Sequence, residues 1–219
     1  MFAEMRSAVQ IPKDQDILDY IHGLPAGEQE AAFGRIQAIE RAAMRKQVPQ
    51  AGLVTLMERL DEWGVRKGIC TRNFEPVSPR FPVRAVAGVC ADVDPSAPVT
   101  HLLETHLPSH IDPFHPIVTR DFKPPKPSPA ALLHIAHSWG IVASPQIPDS
   151  DPRERLLPMV MVGDSVDDIA SGWEAGALTV LVRSAGKEEL ERDERVDVVL
   201  GRLDELVGLL ERGLRGRMR

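Results

Sequence analysis

Two carboxylates one helical turn apart, Asp164 and Asp168, follow the apolar run Pro158-Met159-Val160-Met161-Val162. A hard cation such as Mg²⁺ is held by carboxylate oxygens and water, so a strand delivering such a pair to its end could build a metal site. Asp164 is expected to cap the helix that follows, with Asp168 on the same face four residues on. The plainer alternative is an N-cap aspartate beside a solvated neighbour. A second short apolar run, Gly68-Ile69-Cys70, ends in Thr71-Arg72-Asn73. There a hydroxyl and backbone N–H groups could take a phosphate oxygen, although an ordinary strand-ending turn would look the same. The third position is Lys126, whose ammonium would neutralise a phosphate and favour ionised carboxylates nearby. The bland reading is a surface lysine in a Pro-rich loop. Lys123 competes with it, but only Lys126 is followed at once by a Pro-x-Pro helix start.

Strands and helices must bring these positions together. Leu53, Leu56, Met57 and Leu60 form a helical stripe, with Gly64 placed to end it. Ser128 is expected to cap a helix, Pro129 suits its first turn and Gly140 its end. Pro116–Thr119, Pro158–Val162, Thr179–Val182 and Val196–Leu200 read as strands, and Leu203, Leu206, Val207 and Leu210 as a last helix. Strands alternating with helices predict an α/β fold with a doubly wound parallel sheet, whose site lies at the carboxyl ends of its strands. Residues 1–48 differ in texture. Ile17, Leu18 and Ile21, then Phe33, Ile36 and Ile39, recur at helical spacing around the break Gly23-Leu24-Pro25. Residues 74–98 are rich in Pro, Ala and Val without a period and read as an insertion.

A net charge of −6 argues against a nucleic-acid partner, and the basic run from Arg212 to Arg219 reads as a solvated tail. Cys70 and Cys90 form no disulfide or zinc pattern, and Cys70 is expected to be a buried free thiol. No apolar window is long enough for a membrane helix and the N-terminus has no signal core, so a cytoplasmic protein is expected.

In order and spacing, three motifs resemble those of the haloacid dehalogenase-like (HAD) hydrolase superfamily. Thr71 resembles the second-motif hydroxyl. Lys126 with Pro127 and Pro129 resembles the third-motif lysine. Gly163-Asp164-Ser165 with Asp168, Gly172 and Ala175-Gly176 resembles the fourth motif. The likeness runs from residue 50 to about 212. It implies a Rossmannoid core over 49–219 and a small helical cap over 1–48. It also implies Mg²⁺-dependent hydrolysis of a small phosphorylated molecule through an aspartyl-phosphate. Thr71, Arg72, Asn73 and Lys126 would hold the phosphate, Asp164 the metal, and Lys126 and Asp168 would be catalytic, Asp168 orienting the site or its water. The cap would set the substrate, and Tyr20, His22 and Arg35 are the residues of 1–48 that could face it.

The family's first motif, a central strand ending in Asp-x-Asp, is missing ahead of the cap-like region. The chain as given is therefore expected to be inactive for want of the nucleophile, with a gap between the strands ending at Thr71 and Asp164. A non-catalytic remnant or truncated product with a binding role, or none, is the alternative. Ala85–Ala91 followed by Asp92-Val93-Asp94 reads like a displaced motif. A parallel neighbour, however, needs a crossover of about a dozen residues, and only Phe74 to Arg84 is available.

Overall fold

Apolar residues at helical or alternating spacing account for most of the elements. The computed structural model describes residues 2–12, 15, 17–44, 46, 48–72, 98–119 and 121–216. Asn73, Cys90, Asp92, Asp94 and nearly all of the 74–98 stretch lie outside them.

The described residues fall into two compact units. One gathers α1 (Phe2–Val9), α2 (Ile17–His22), α3 (Ala26–Met44) and α5 (Pro98–His106). Its core is Met5, Val9, Ile11, Ile21, Ala32 and Ile36, with Phe33 and Ile39 packed against it. The Ile21 and Ile36 stripes expected of a helical hairpin thus meet each other.

The other unit is a three-layer α/β/α body. Strands β1 (Ile69–Cys70) and β2 (Ile117–Val118) pair in parallel. Strands β3 (Val160–Gly163), β4 (Leu178–Val182) and β5 (Val198–Leu200) form a second parallel sheet in that order. Alternation along β4 sorts the layers. Val180 and Val182 face Leu56 and Met57 of α4 (Leu53–Glu62) and Leu206 of α8 (Glu205–Glu211). Leu181 turns the other way, to Ile169 of α7 (Val166–Ala175). α6 (Ala130–Ser138) packs beside α7 through Leu132, Leu133 and Ala175. Each fully buried Val, Leu, Ile or Met among them contributes about 1.5–3 kcal/mol by leaving water. Gly64 and Gly140 take positive φ just past α4 and α6, as their placement predicted. α6 starts one residue later than expected. Pro129 sits at its N-cap, and Ser128 Oγ only accepts the Ala130 N–H at 3.3 Å.

The sheet is divided between β1 and β3, where the gap was expected. Ile69 N–H donates to the Pro116 carbonyl at 3.0 Å and Thr71 N–H to that of Val118 at 2.8 Å. Leu178 N–H donates to the Met159 carbonyl at 3.0 Å. Parallel ladders use alternate residues on each side, so the backbone groups of Cys70, Val160 and Val162 point into the division. A cavity of about 660 Å³ fills it, lined by Ile69, Cys70, Leu132, Val160, Met161 and Val162 among others. Left dry, such a cavity would cost at most about 16 kcal/mol at ~24 cal/mol per Å³. That matches or exceeds a whole domain's stability of about 5–15 kcal/mol.

Candidate active site

The polar residues singled out in the sequence gather at the carboxyl ends of β1 and β3. Lys126 reaches this place from the loop before α6. Its Nζ donates to Asp168 Oδ1 at 2.6 Å and to the Cys70 carbonyl at 2.9 Å. Both side chains are about nine-tenths buried, at 9% and 11% exposure. Lys123, by contrast, is exposed. Thr71 follows β1, and Thr71, Arg72 and Lys126 line one small depression together with Thr119 and Pro125.

The start of α7 differs from expectation. Ser165, not Asp164, is its N-cap. Ser165 Oγ accepts the Asp168 N–H at 3.2 Å, and Asp168 Oδ2 accepts the Ser165 N–H at 3.2 Å, which makes a capping box. The same Oδ2 accepts from Ser165 Oγ at 2.7 Å and the Asp164 N–H at 3.3 Å. Asp168 is thereby locked by helix backbone on one oxygen and by Lys126 on the other. The motif's glycines permit this closeness. A Cβ on Gly163 would stand 2.4 Å from Asp168 Cβ, and one on Gly172 would stand 2.7 Å from Met161 Cβ.

Asp164 stands apart from that pair. Its Oδ2 accepts from Lys187 Nζ at 2.8 Å and Ser184 Oγ at 3.1 Å, and its carbonyl accepts from Lys187 at 2.7 Å. Burial works to raise its carboxyl pKa, but Lys187 and Ser184 together outweigh it and hold the group below its ordinary value. Among the described residues no cluster of three His, Cys, Asp or Glu side chains could hold a metal ion. Asp164 alone does not suit Mg²⁺, which needs several oxygen ligands.

Arg72 is exposed and pairs with Asp167 Oδ2 at 2.6 Å, an ion pair sequence reasoning missed. It also missed Lys187 and Ser184, because only the fold brings them across to Asp164. Ser165 was quoted in the motif but not as the cap. A serine followed three residues later by an acid is the capping-box signal that could have identified it. Burial raises the Cys70 thiol, partly offset by Lys126. Cys70 is a free thiol, as expected, but only half-buried. In the helical unit His22 stacks at a tilt on Phe33, and Arg35 donates to the Ala8 carbonyl at 3.3 Å.

A parallel α/β protein with its polar cluster at the strand carboxyl ends carries its site where open α/β sheets bind ligands. Comparison with known proteins narrows this. The HAD-hydrolase-like family model matches residues 124–206. The chain is 38% identical over 215 residues to the uncharacterized hydrolase YOR131C of Saccharomyces cerevisiae, covering 96% of this chain and 83% of that protein. It is 29% identical over 186 residues to the haloacid dehalogenase-like hydrolase domain-containing protein At2g33255 of Arabidopsis thaliana, covering 84% of this chain and 60% of that one. Among solved structures, a HAD-superfamily hydrolase of subfamily IA from Geobacter sulfurreducens aligns with a TM-score of 0.50 at 19% identity, over 95% of this chain and 86% of that one. The chain belongs to the haloacid dehalogenase-like hydrolase superfamily.

Proposed function

We propose that this family member is of the phosphatase type and that its site takes the phosphoryl group of a small phosphorylated molecule. The observation that carries the reading is the buried Lys126 ammonium beside Thr71. Of its three N–H donors, two serve Asp168 and the Cys70 carbonyl, which leaves one to aim at a ligand oxygen. A buried cation interacts strongly with a transferring phosphoryl group because little water screens it. Thr71 and Arg72 line the same depression as Lys126, and Asn73 adjoins them in sequence. Asp168 acts through Lys126 as a positioning residue. Its charge keeps the ammonium in place, and the capping box keeps Asp168 in place. Asp164 would contribute one ligand to Mg²⁺. The described residues supply no set to complete it.

The covalent step of this chemistry needs an attacking carboxylate, and none of the residues gathered here is free to serve. Asp168 is spent on Lys126 and the cap, and Asp164 on Lys187 and Ser184. The described residues therefore fit the binding of a phosphate. This divided site also favours the second reading, a non-catalytic binding protein. No helix among the described residues is long and apolar enough to cross a membrane.

Two measurements test this. Titration of the chain with inorganic phosphate, followed by ³¹P line broadening, should show binding that Lys126→Met abolishes. Equal line widths with and without Lys126 would remove the phosphate assignment. p-Nitrophenyl phosphate with Mg²⁺ should give no turnover, and turnover that survives repurification would show that an attacking group is present.

A further inference from the structure

We propose that Arg72 is a specificity-determining residue: it selects substrates that carry a second oxyanion, a carboxylate or a further phosphate, beside the phosphoryl group held at Lys126. The inference rests on the phosphatase reading of this site and adds a substrate class to it. Lys126 and Arg72 line one depression, and among the described residues no carboxylate lines it with them. The two cations are held in opposite ways. Lys126 is buried, and Asp168 and the Cys70 carbonyl take two of its three donors. The depression has a volume of about 10 Å³, room for one water-sized group. It therefore admits a single oxygen of a phosphoryl group, which matches the single donor left on Lys126. The remainder of the ligand lies outside, on the exposed side where Arg72 stands.

Arg72 is held so that its partner can be exchanged. Its Nη1 donates to Asp167 Oδ2 at 2.6 Å, and among the described residues this is its one hydrogen bond or ion pair. Arginine presents a planar fork of five N–H donors that suits the paired oxygens of a carboxylate or phosphate. A single oxygen of Asp167 uses little of that fork. The Arg72 side chain is 58% exposed, and an ion pair this open to water holds weakly. A substrate oxyanion that engages both arms of the fork thus displaces Asp167 at little cost, whereas an uncharged substituent leaves the pair in place. Asp167 and Asp168 both lie in the first turn of α7. One helix end therefore holds both cations, Lys126 locked and Arg72 exchangeable, at the same depression.

Three phosphonates, which resist hydrolysis, test the proposal when titrated into the 219-residue chain in EDTA and followed by ³¹P line broadening. 3-Phosphonopropionate carries a carboxylate, methylenebisphosphonate a second phosphonate, and propylphosphonate neither. One of the first two should bind about tenfold more tightly than propylphosphonate, and which one does so identifies the second oxyanion. Arg72→Met should erase that preference. Arg72→Lys, which keeps the charge but not the fork, should restore part of it. Asp167→Asn removes the rival anion and should tighten the preferred ligand several-fold. Equal affinities for all three ligands in the parent chain would overturn the proposal, as would a preference that survives Arg72→Met. An equal loss for all three in Arg72→Met would also overturn it, by putting the guanidinium on the phosphoryl group itself. Failure of the phosphatase reading looks different: no phosphonate would then bind in a way that Lys126→Met abolishes, and this proposal would fall with it.

Discussion

Replacing Asp168 with alanine removes the anion beside a buried ammonium, and the structure says how much that should cost. Lys126 Nζ would keep only the Cys70 carbonyl, at 2.9 Å, for its charge. Stripping a buried ion of its partner costs about 3–5 kcal/mol. Losing the reciprocal Ser165 cap adds about 1 kcal/mol. The sum, on the order of 5 kcal/mol, is a large part of a domain's stability. For a chain of this size it should lower Tm by about 10–20 °C. Lys126→Met should cost less, because the Asp168 carboxylate would still accept from Ser165 Oγ and from the Ser165 and Asp164 N–H groups. The double variant should then be more stable than Asp168→Ala alone, with a coupling of about 2 kcal/mol or more. Equilibrium urea unfolding of the four proteins measures this, provided the denaturant slope is unchanged. If Asp168→Ala cost under about 1 kcal/mol, or the two changes were simply additive, the buried pair would not hold the site as argued.

Gly163→Ala should destabilise by about 1–3 kcal/mol, because its Cβ would meet Asp168 Cβ at 2.4 Å; a stability within error of the parent would mean that β3 and α7 shift apart freely. Asp193 is held below its ordinary 3.8 chiefly by the hydrogen bond from Arg195. The stability this contributes is present above that ordinary value and fades as pH falls through the lowered folded one. Asp193→Asn should therefore cost about 1 kcal/mol or less near pH 6 and progressively less as the solution is acidified below 3.8, and a difference that grew in acid would reverse the sign argument. In a Cys90→Ser form the Cys70 thiol, raised by burial, should react with Ellman's reagent at pH 8 about tenfold slower than free cysteine; an equal rate would show that β1 is open to reagent.

The chain's local chemistry was legible in its residues because each signal acts over a few positions. The stripe of Leu53, Leu56, Met57 and Leu60 specified α4, and the runs around Val160 and Val180 specified buried strands. Gly-Asp-Ser with a second Asp, a Pro-flanked lysine and a strand-ending threonine marked three strand ends. The gap between β1 and β3 could also be foreseen, since a likeness in motif order says which neighbours a sheet should have. What tertiary structure alone decided is who faces whom. The Pro-x-Pro start after Lys126 set it apart from Lys123, but only the fold buries its ammonium against Asp168. Asp164 was expected to cap α7, but Ser165 took that role and Asp168 closed the box. Lys187, distant in the chain, became the partner of Asp164 only because the loop after β4 lies beside the end of β3. Propensity and periodicity are local, whereas a long side chain's partner depends on which strand ends the folded sheet places within hydrogen-bond reach.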